Sequence, residues 1–240
     1  MTYIKIINIL FLAILLTSCK DSLPKSTNTG TSAIKTTKDT TSRYNNVQAV
    51  KAKTPRTTLT QENHEDILLA FGSSMTQSKV VLHTTLGSLT IELFDETPLH
   101  RANFLYLTQS GYFDDTFFHR VVKDFIIQGG NSDLVSTARK RKQIGPRYRL
   151  ASEVNPLRKH TYGTVSGAKE YRKNKEKMSA PYEFFIFIGP DISARHLNGE
   201  YTIFGQVIEG MDVVERIADL PTDSGEWPKT NVFIRAEIKD

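Results

Sequence analysis

Cysteine and tryptophan occur once each in 240 residues, and no apolar run approaches the length of a membrane-spanning helix. A single thiol excludes an intramolecular disulfide and any multi-thiolate zinc site. The six histidines fall at no ligand spacing, so neither a metal nor another cofactor is expected. Crossing a bilayer takes about 20 apolar residues, and the run from Ile9 to Leu16 stops well short. A basic folded face is missing too. Residues 1–56 hold nine Lys or Arg against two acids, which leaves 22 basic and 24 acidic residues in the remainder. The formal charge of +5 therefore belongs to the N-terminal segment, and nucleic-acid binding is not indicated.

The segment itself has an organisation. Lys5 precedes the apolar run, which ends in Leu16-Thr17-Ser18-Cys19. This pattern resembles the lipobox of bacterial lipoproteins. The resemblance implies a signal peptide over 1–18 and lipidation at Cys19, with several acyl chains at roughly 0.8 kcal/mol per buried methylene. Residues 19–60 are rich in Ser and Thr and poor in large apolar side chains, as a disordered tether would be. A coil of that length reaches about 35 Å, and its basic charge suits an anionic leaflet. The implied location is the cell envelope. Lys20 after the cysteine favours the outer membrane, periplasmic or surface-facing, under the enterobacterial sorting rule.

From Gln61 the texture changes. Residues 61–78 form a lead-in in which Ile67, Leu68 and Phe71 fall at helical spacing. Val80–Leu82 and the alternating run Leu89–Leu93, joined through Leu86-Gly87-Ser88, predict an antiparallel hairpin. Thr97-Pro98 starts a helix that Gly111 stops, with Leu99, Ala102, Leu105 and Tyr106 on one face. Asn131–Lys159 is basic and turn-rich. Glu183–Ile188, Thr202–Val207 and Val232–Ile238 read as strands, and Met211–Ala218 as a second helix. Many short strands with two helices predict a mainly β fold, a barrel rather than an alternating α/β sheet.

The chemistry-bearing stretch is Phe117-Phe118-His119-Arg120-Val121-Val122-Lys123-Asp124-Phe125-Ile126-Ile127-Gln128-Gly129-Gly130. Two short strands break near Lys123-Asp124 and carry a guanidinium and an amide among apolar neighbours. Such groups must find buried partners or face a cleft. The pattern F-H-R-x-x-x-x-F-x-x-Q-G-G resembles the signature of the cyclophilins, the cyclosporin-type peptidyl-prolyl isomerases. The resemblance covers most of residues 79–238. It implies a closed eight-stranded antiparallel barrel capped by two helices over 79–240, a monomer acting without a cofactor on proline-containing polypeptides.

Residue by residue, the resemblance makes Arg120 the catalytic arginine and Gln128 the glutamine that binds substrate backbone. Phe125, Ile126, Phe185 and Leu197 match the wall that receives the proline ring, and Ala168 the start of the backbone-docking strip. Four positions depart from the family pattern. Ile126 replaces methionine, a volume-conserving change. Tyr201 replaces a frequent pocket histidine, and His196 the tryptophan that favours cyclosporin. Glu183 replaces the glutamine of the usual Q-F-F motif, where its carboxylate either pairs with Arg120 or faces the rim. The cluster Arg139-Lys140-Arg141-Lys142 with Arg147 and Arg149, like Arg172, Lys173, Lys175 and Lys177, is either a solvated loop or a lip for acidic clients or lipid headgroups. A non-catalytic peptide-binding or chaperone module on the same barrel is the alternative function.

Overall fold

The computed structural model describes residues 57–170 and 173–240. The signal segment, Cys19, most of the tether and Arg172 lie outside the described residues. The first hairpin is β1 (Lys79–Thr84) and β2 (Gly87–Leu93), paired from Lys79 opposite Glu92 to Thr84 opposite Gly87. It is followed by α2 (Pro98–Gln109), α1 being the lead-in helix His64–Ser73. Then come β3 (Thr116–Phe117), β4 (Arg120–Val122), β5 (Ile126–Gly129) and α3 (Val135–Ile144). The chain ends with β6 (Thr164–Gly167), β7 (Phe184–Phe187), β8 (Ile203–Glu209), α4 (Met211–Ala218) and β9 (Phe233–Lys239).

The strands form one curled antiparallel sheet in the order β3-β9-β1-β2-β8-β6-β7-β5-β4. The expected mainly β architecture is present, with nine strands among the described residues because Phe118-His119 divides the first half of the signature into β3 and β4. The two ends of the order are consecutive in sequence. A bridge from Phe117 to Asn131 draws them together, and His119 N–H donates to the Gln128 carbonyl at 3.0 Å. Inside the curl, Leu82, Leu89, Ile91, Ile127, Val165, Ile186 and Ile234 are buried in one core with Phe104, Phe113 and Phe184.

Four α-helices are present among the described residues: the two that cap the sheet, the lead-in helix that the spacing of Ile67, Leu68 and Phe71 indicates, and α3, which the sequence does not indicate. Helix α1 belongs to the folded body. Phe71 meets Tyr106 edge-on at 5.4 Å, and a Cβ on Gly72 would lie 2.7 Å from the Ala102 Cβ. That cover buries α2 from Leu99 through Thr108 on every side rather than on one face. Leu59 is buried as well, its N–H donating to the Ile144 carbonyl at 2.7 Å. Helix α3 lies inside the basic stretch that reads as turns. Only Thr137 and Ile144 of its residues are buried, so it has no apolar stripe for a periodicity reading to find.

The start of α2 also differs in mechanism from a threonine cap. Thr97 makes no side-chain cap bond. The Glu153 carboxylate accepts instead from the Leu99 and His100 N–H groups, both at 2.9 Å, and meets His100 Nδ1 at 2.6 Å. An anion there satisfies two orphan donors and complements the helix dipole.

Candidate functional site

Strand periodicity decides which signature residues meet. Arg120 stands opposite Gln128, and Val122 opposite Ile126. Across the next ladder Gln128 stands opposite Phe185 and Ile126 opposite Phe187. Side chains directly opposite one another share a face, and those two residues along a strand share it too. Arg120, Val122, Ile126, Gln128, Phe185 and Phe187 therefore occupy one face of the sheet. Val121, Ile127, Ile186 and Val165 occupy the other and fill the core. The turn between the two strands passes through Asp124 at φ +56, a left-handed conformation that Asp tolerates better than most side chains.

On the outer face the apolar members assemble into a second cluster, separate from the core. Ile126, Phe185, Phe187, Ala194 and Leu197 are its buried residues, with Val122, Phe125 and Tyr201 packed against it. Phe125 meets Phe187 edge-on at 6.2 Å, and Phe185 meets Tyr201 edge-on at 5.4 Å. His196 lies over Phe125 at 5.4 Å between ring centroids, so the imidazole takes a wall position despite its exposure. The sequence-predicted apolar residues are thus brought together. Ala168 follows β6 on the chain and is not a member of that cluster. Its N–H donates to the Glu183 carbonyl at 3.2 Å and its carbonyl accepts from Ala180 at 2.7 Å.

A residue that the sequence reading passed over supports this wall. His160 is buried and stacks nearly parallel on Phe185, 8° between planes and 6.0 Å between centroids. Its Nδ1 lies 2.9 Å from Asn198 Oδ1 and its Nε2 3.0 Å from Ser166 Oγ. Burial holds its pKa below the ordinary histidine value, against the opposing pull of the Asn198 contact. A lone histidine in a turn-rich stretch carries no sequence signal for this role.

Glu183 neither pairs with Arg120 nor faces the rim. Its Oε2 accepts from Gln128 Nε2 and its Oε1 from Asn131 Nδ2, both at 3.0 Å. His119 Nε2 and Arg141 Nη2 approach the same carboxylate at 3.6 Å each. Burial alone would raise its pKa. The His119 contact, the Arg141 charge and the Gln128 bond outweigh burial and hold it below the ordinary glutamate value. The backbone permits this inward position because Gly130, at φ +93, has no Cβ; one placed there would lie 2.2 Å from the Tyr182 carbonyl oxygen. A carboxylate only accepts, so the Gln128 amide is oriented with its NH2 toward Glu183 and its oxygen turned away.

The carboxylate that does meet Arg120 is Glu226. Arg120 Nε donates to Glu226 Oε2 at 2.6 Å, with side-chain exposures of 37% and 44%. Nothing in the sequence pattern flags this pair, which spans 106 residues. Several side chains of the basic stretches make specific contacts. Arg141 lies over the Tyr182 ring at 5.1 Å and donates to Tyr112 Oη at 2.8 Å. Lys169 and Lys177 each bind Glu200 at 3.0 Å, and Arg149 binds Glu170 at 2.7 Å. Arg139 and Lys142 stay exposed on α3. Among the described residues, no group of three or more His, Cys, Asp or Glu converges as metal ligands would.

Comparison with known proteins identifies the family. Residues 79–238 match the family model for cyclophilin type peptidyl-prolyl cis-trans isomerases. A peptidyl-prolyl cis-trans isomerase of Arabidopsis thaliana is 35% identical over 165 residues, covering 68% of this chain and 94% of that protein. A peptidyl-prolyl cis-trans isomerase-like protein of Neurospora crassa is 38% identical over 157 residues, covering 65% and 90%. A crystal structure of a Cryptosporidium parvum cyclophilin type isomerase superposes with a TM-score of 0.57 at 30% identity, covering 68% of this chain and 98% of that one. A second crystal structure of that protein, in the presence of the dipeptide Ala-Pro, gives 0.55 at 31% identity, covering 68% and 99%. The chain belongs to the cyclophilin-type peptidyl-prolyl cis-trans isomerase family.

Proposed function

We propose that this protein isomerises X-Pro bonds of polypeptides, with Arg120 as the catalytic donor. The observation that carries the reading is the outer face of β4, β5 and β7. A guanidinium and an oriented amide stand there beside an apolar cluster isolated from the core. Rotation about the X-Pro amide meets a barrier of about 18–20 kcal/mol. It requires no nucleophile, proton donor or metal, only tighter binding of the twisted amide than of either planar form. Twisting breaks conjugation and places a lone pair on the prolyl nitrogen. A permanently charged donor aimed at that nitrogen is worth more in the transition state than in the ground state.

In this reading Phe125, Ile126, Phe185 and Leu197 receive the proline ring, with Tyr201 and His196 at its margin. Gln128 holds substrate backbone through its outward amide oxygen, and Ala168 begins the strip along which the peptide lies. The Ala-Pro dipeptide used with the Cryptosporidium relative is consistent with a proline-containing ligand for the family. The test is magnetisation-exchange NMR on a proline tetrapeptide, comparing the native protein with Arg120→Ala. Loss of a donor worth a few kcal/mol should slow catalysed exchange by about two to three orders of magnitude. Equal rates for the two proteins, both at the uncatalysed value, would leave a peptide-binding module and no enzyme.

We further propose that the domain acts at a membrane surface in the cell envelope, as a monomer, tethered through lipidated Cys19 and assisting exported proteins. Support comes from the Leu16-Thr17-Ser18-Cys19 pattern and the Ser/Thr-rich segment that follows it. Unaided, X-Pro bonds in such clients take tens to hundreds of seconds to isomerise.

A further inference from the structure

The Arg120–Glu226 pair is more than a surface ion pair. Exposed pairs of this kind contribute little to stability, yet this one is built on a constrained loop. Glu226 holds φ +65, a backbone conformation that L side chains rarely adopt. Its carbonyl accepts from the N–H of Val121, the residue next to Arg120, at 2.8 Å. Asp223 fixes the loop from within: its Oδ1 accepts from the Gly225 N–H at 2.8 Å and the Trp227 N–H at 3.0 Å. The Trp227 ring then packs against Phe117 at 5.4 Å and His119 at 5.9 Å. The carboxylate is therefore presented from a rigid mount docked along β4.

Its point of attachment also has meaning. A guanidinium offers donors on Nε and on two terminal nitrogens in one plane. Glu226 takes Nε, and among the described residues the terminal nitrogens make no hydrogen bond. Glu183, which replaces the motif glutamine, is already held by Gln128, Asn131, His119 and Arg141. We propose that Glu226 is a positioning residue for Arg120, fixing the guanidinium plane through Nε so that the terminal nitrogens are reserved for the substrate amide. This inference rests on the isomerase reading above. A long side chain held this way loses less freedom when the twisted amide forms, so the gain falls on kcat rather than on KM.

The experiment separates kcat from KM for a proline peptide in the full chain and in its Glu226→Ala and Glu226→Gln variants. Unfolding midpoints and the 15N-resolved Arg120 Nε–H signal are recorded beside them. Because the pair is partly exposed, Glu226→Ala should lower kcat about fivefold. KM should stay within about twofold, the midpoint should not change, and Nε–H should exchange faster. Glu226→Gln keeps an acceptor at the same reach and should recover most of the loss. An unchanged kcat in Glu226→Ala beside an active native protein would overturn this inference alone. So would a raised kcat, which would make Glu226 a restraint, or a loss that tracks a lowered midpoint. A native protein no faster than Arg120→Ala would overturn the isomerase reading and this inference with it.

Discussion

Replacing Glu183 by glutamine should destabilise the domain at neutral pH and leave it nearly unaffected in acid. The carboxylate accepts from Gln128 and Asn131 and is approached by His119 and Arg141 at 3.6 Å each. A carboxamide keeps one acceptor and places an NH2 where the second oxygen stood. Asn131 cannot turn over cheaply, because its Oδ1 already accepts from the Ser132 N–H at 2.9 Å. The Gln128 amide can turn, presenting its oxygen to the new NH2. Both amide contacts then survive, and what is lost is the attraction to Arg141 and His119. With Glu183 at 22% exposure, that loss is worth about 1–2 kcal/mol. For a folded part of this size the midpoint should fall by about 3–6 °C.

The pH dependence supplies the decisive arm. The folded pKa of Glu183 lies below its ordinary value, so folding favours the ionised form. Its contribution is complete above the unfolded pKa and disappears as pH falls through the folded one. The gap between native and Glu183→Gln proteins should therefore close as pH drops below the ordinary glutamate range. Calorimetry across that range tests it. A gap that persists unchanged in acid would refute the electrostatic account and leave packing as the cause. The turned Gln128 amide should also show as shifted side-chain NH2 resonances.

Two further outcomes are expected. His160 has a depressed folded pKa, so its contribution is present above the ordinary histidine value and declines as pH falls through and below it; His160→Gln should flatten the stability profile there, and parallel midpoint curves for the two proteins would contradict this. A Cys19→Ser protein should shift from the membrane to the soluble fraction of its host's envelope, and unchanged sedimentation with membranes would count against the lipid tether.

Much of the domain is legible because its signals are local. The break near Lys123-Asp124 and the two short strands around it are readable in the sequence, and the register of the sheet then sets Arg120, Gln128 and Ile126 on one face. Thr97-Pro98 marks the start of α2 correctly, although the cap comes from Glu153, more than 50 residues away. Helix α3 is illegible for a related reason. It buries only Thr137 and Ile144, and its Arg141 reaches Tyr112, Tyr182 and Glu183, contacts that no helical stripe records.

The sequence by itself determined the signature and most strand positions, because residue spacing is imposed by neighbouring peptide units wherever the chain is placed. Through the family resemblance it also named Phe125, Ile126, Phe185 and Leu197 for the apolar wall, while Val122, Phe187 and Ala194 joined it only in the fold. Only the tertiary structure decided which acid meets which base. Glu183 immediately precedes β7, the strand that pairs with the signature's β5, and it turns to Gln128, Asn131, His119 and Arg141 rather than to Arg120. Glu226 reaches Arg120 from a loop 106 residues on. Charge pairing depends on distance in space, and the curl of the sheet, not the order of residues, sets that distance.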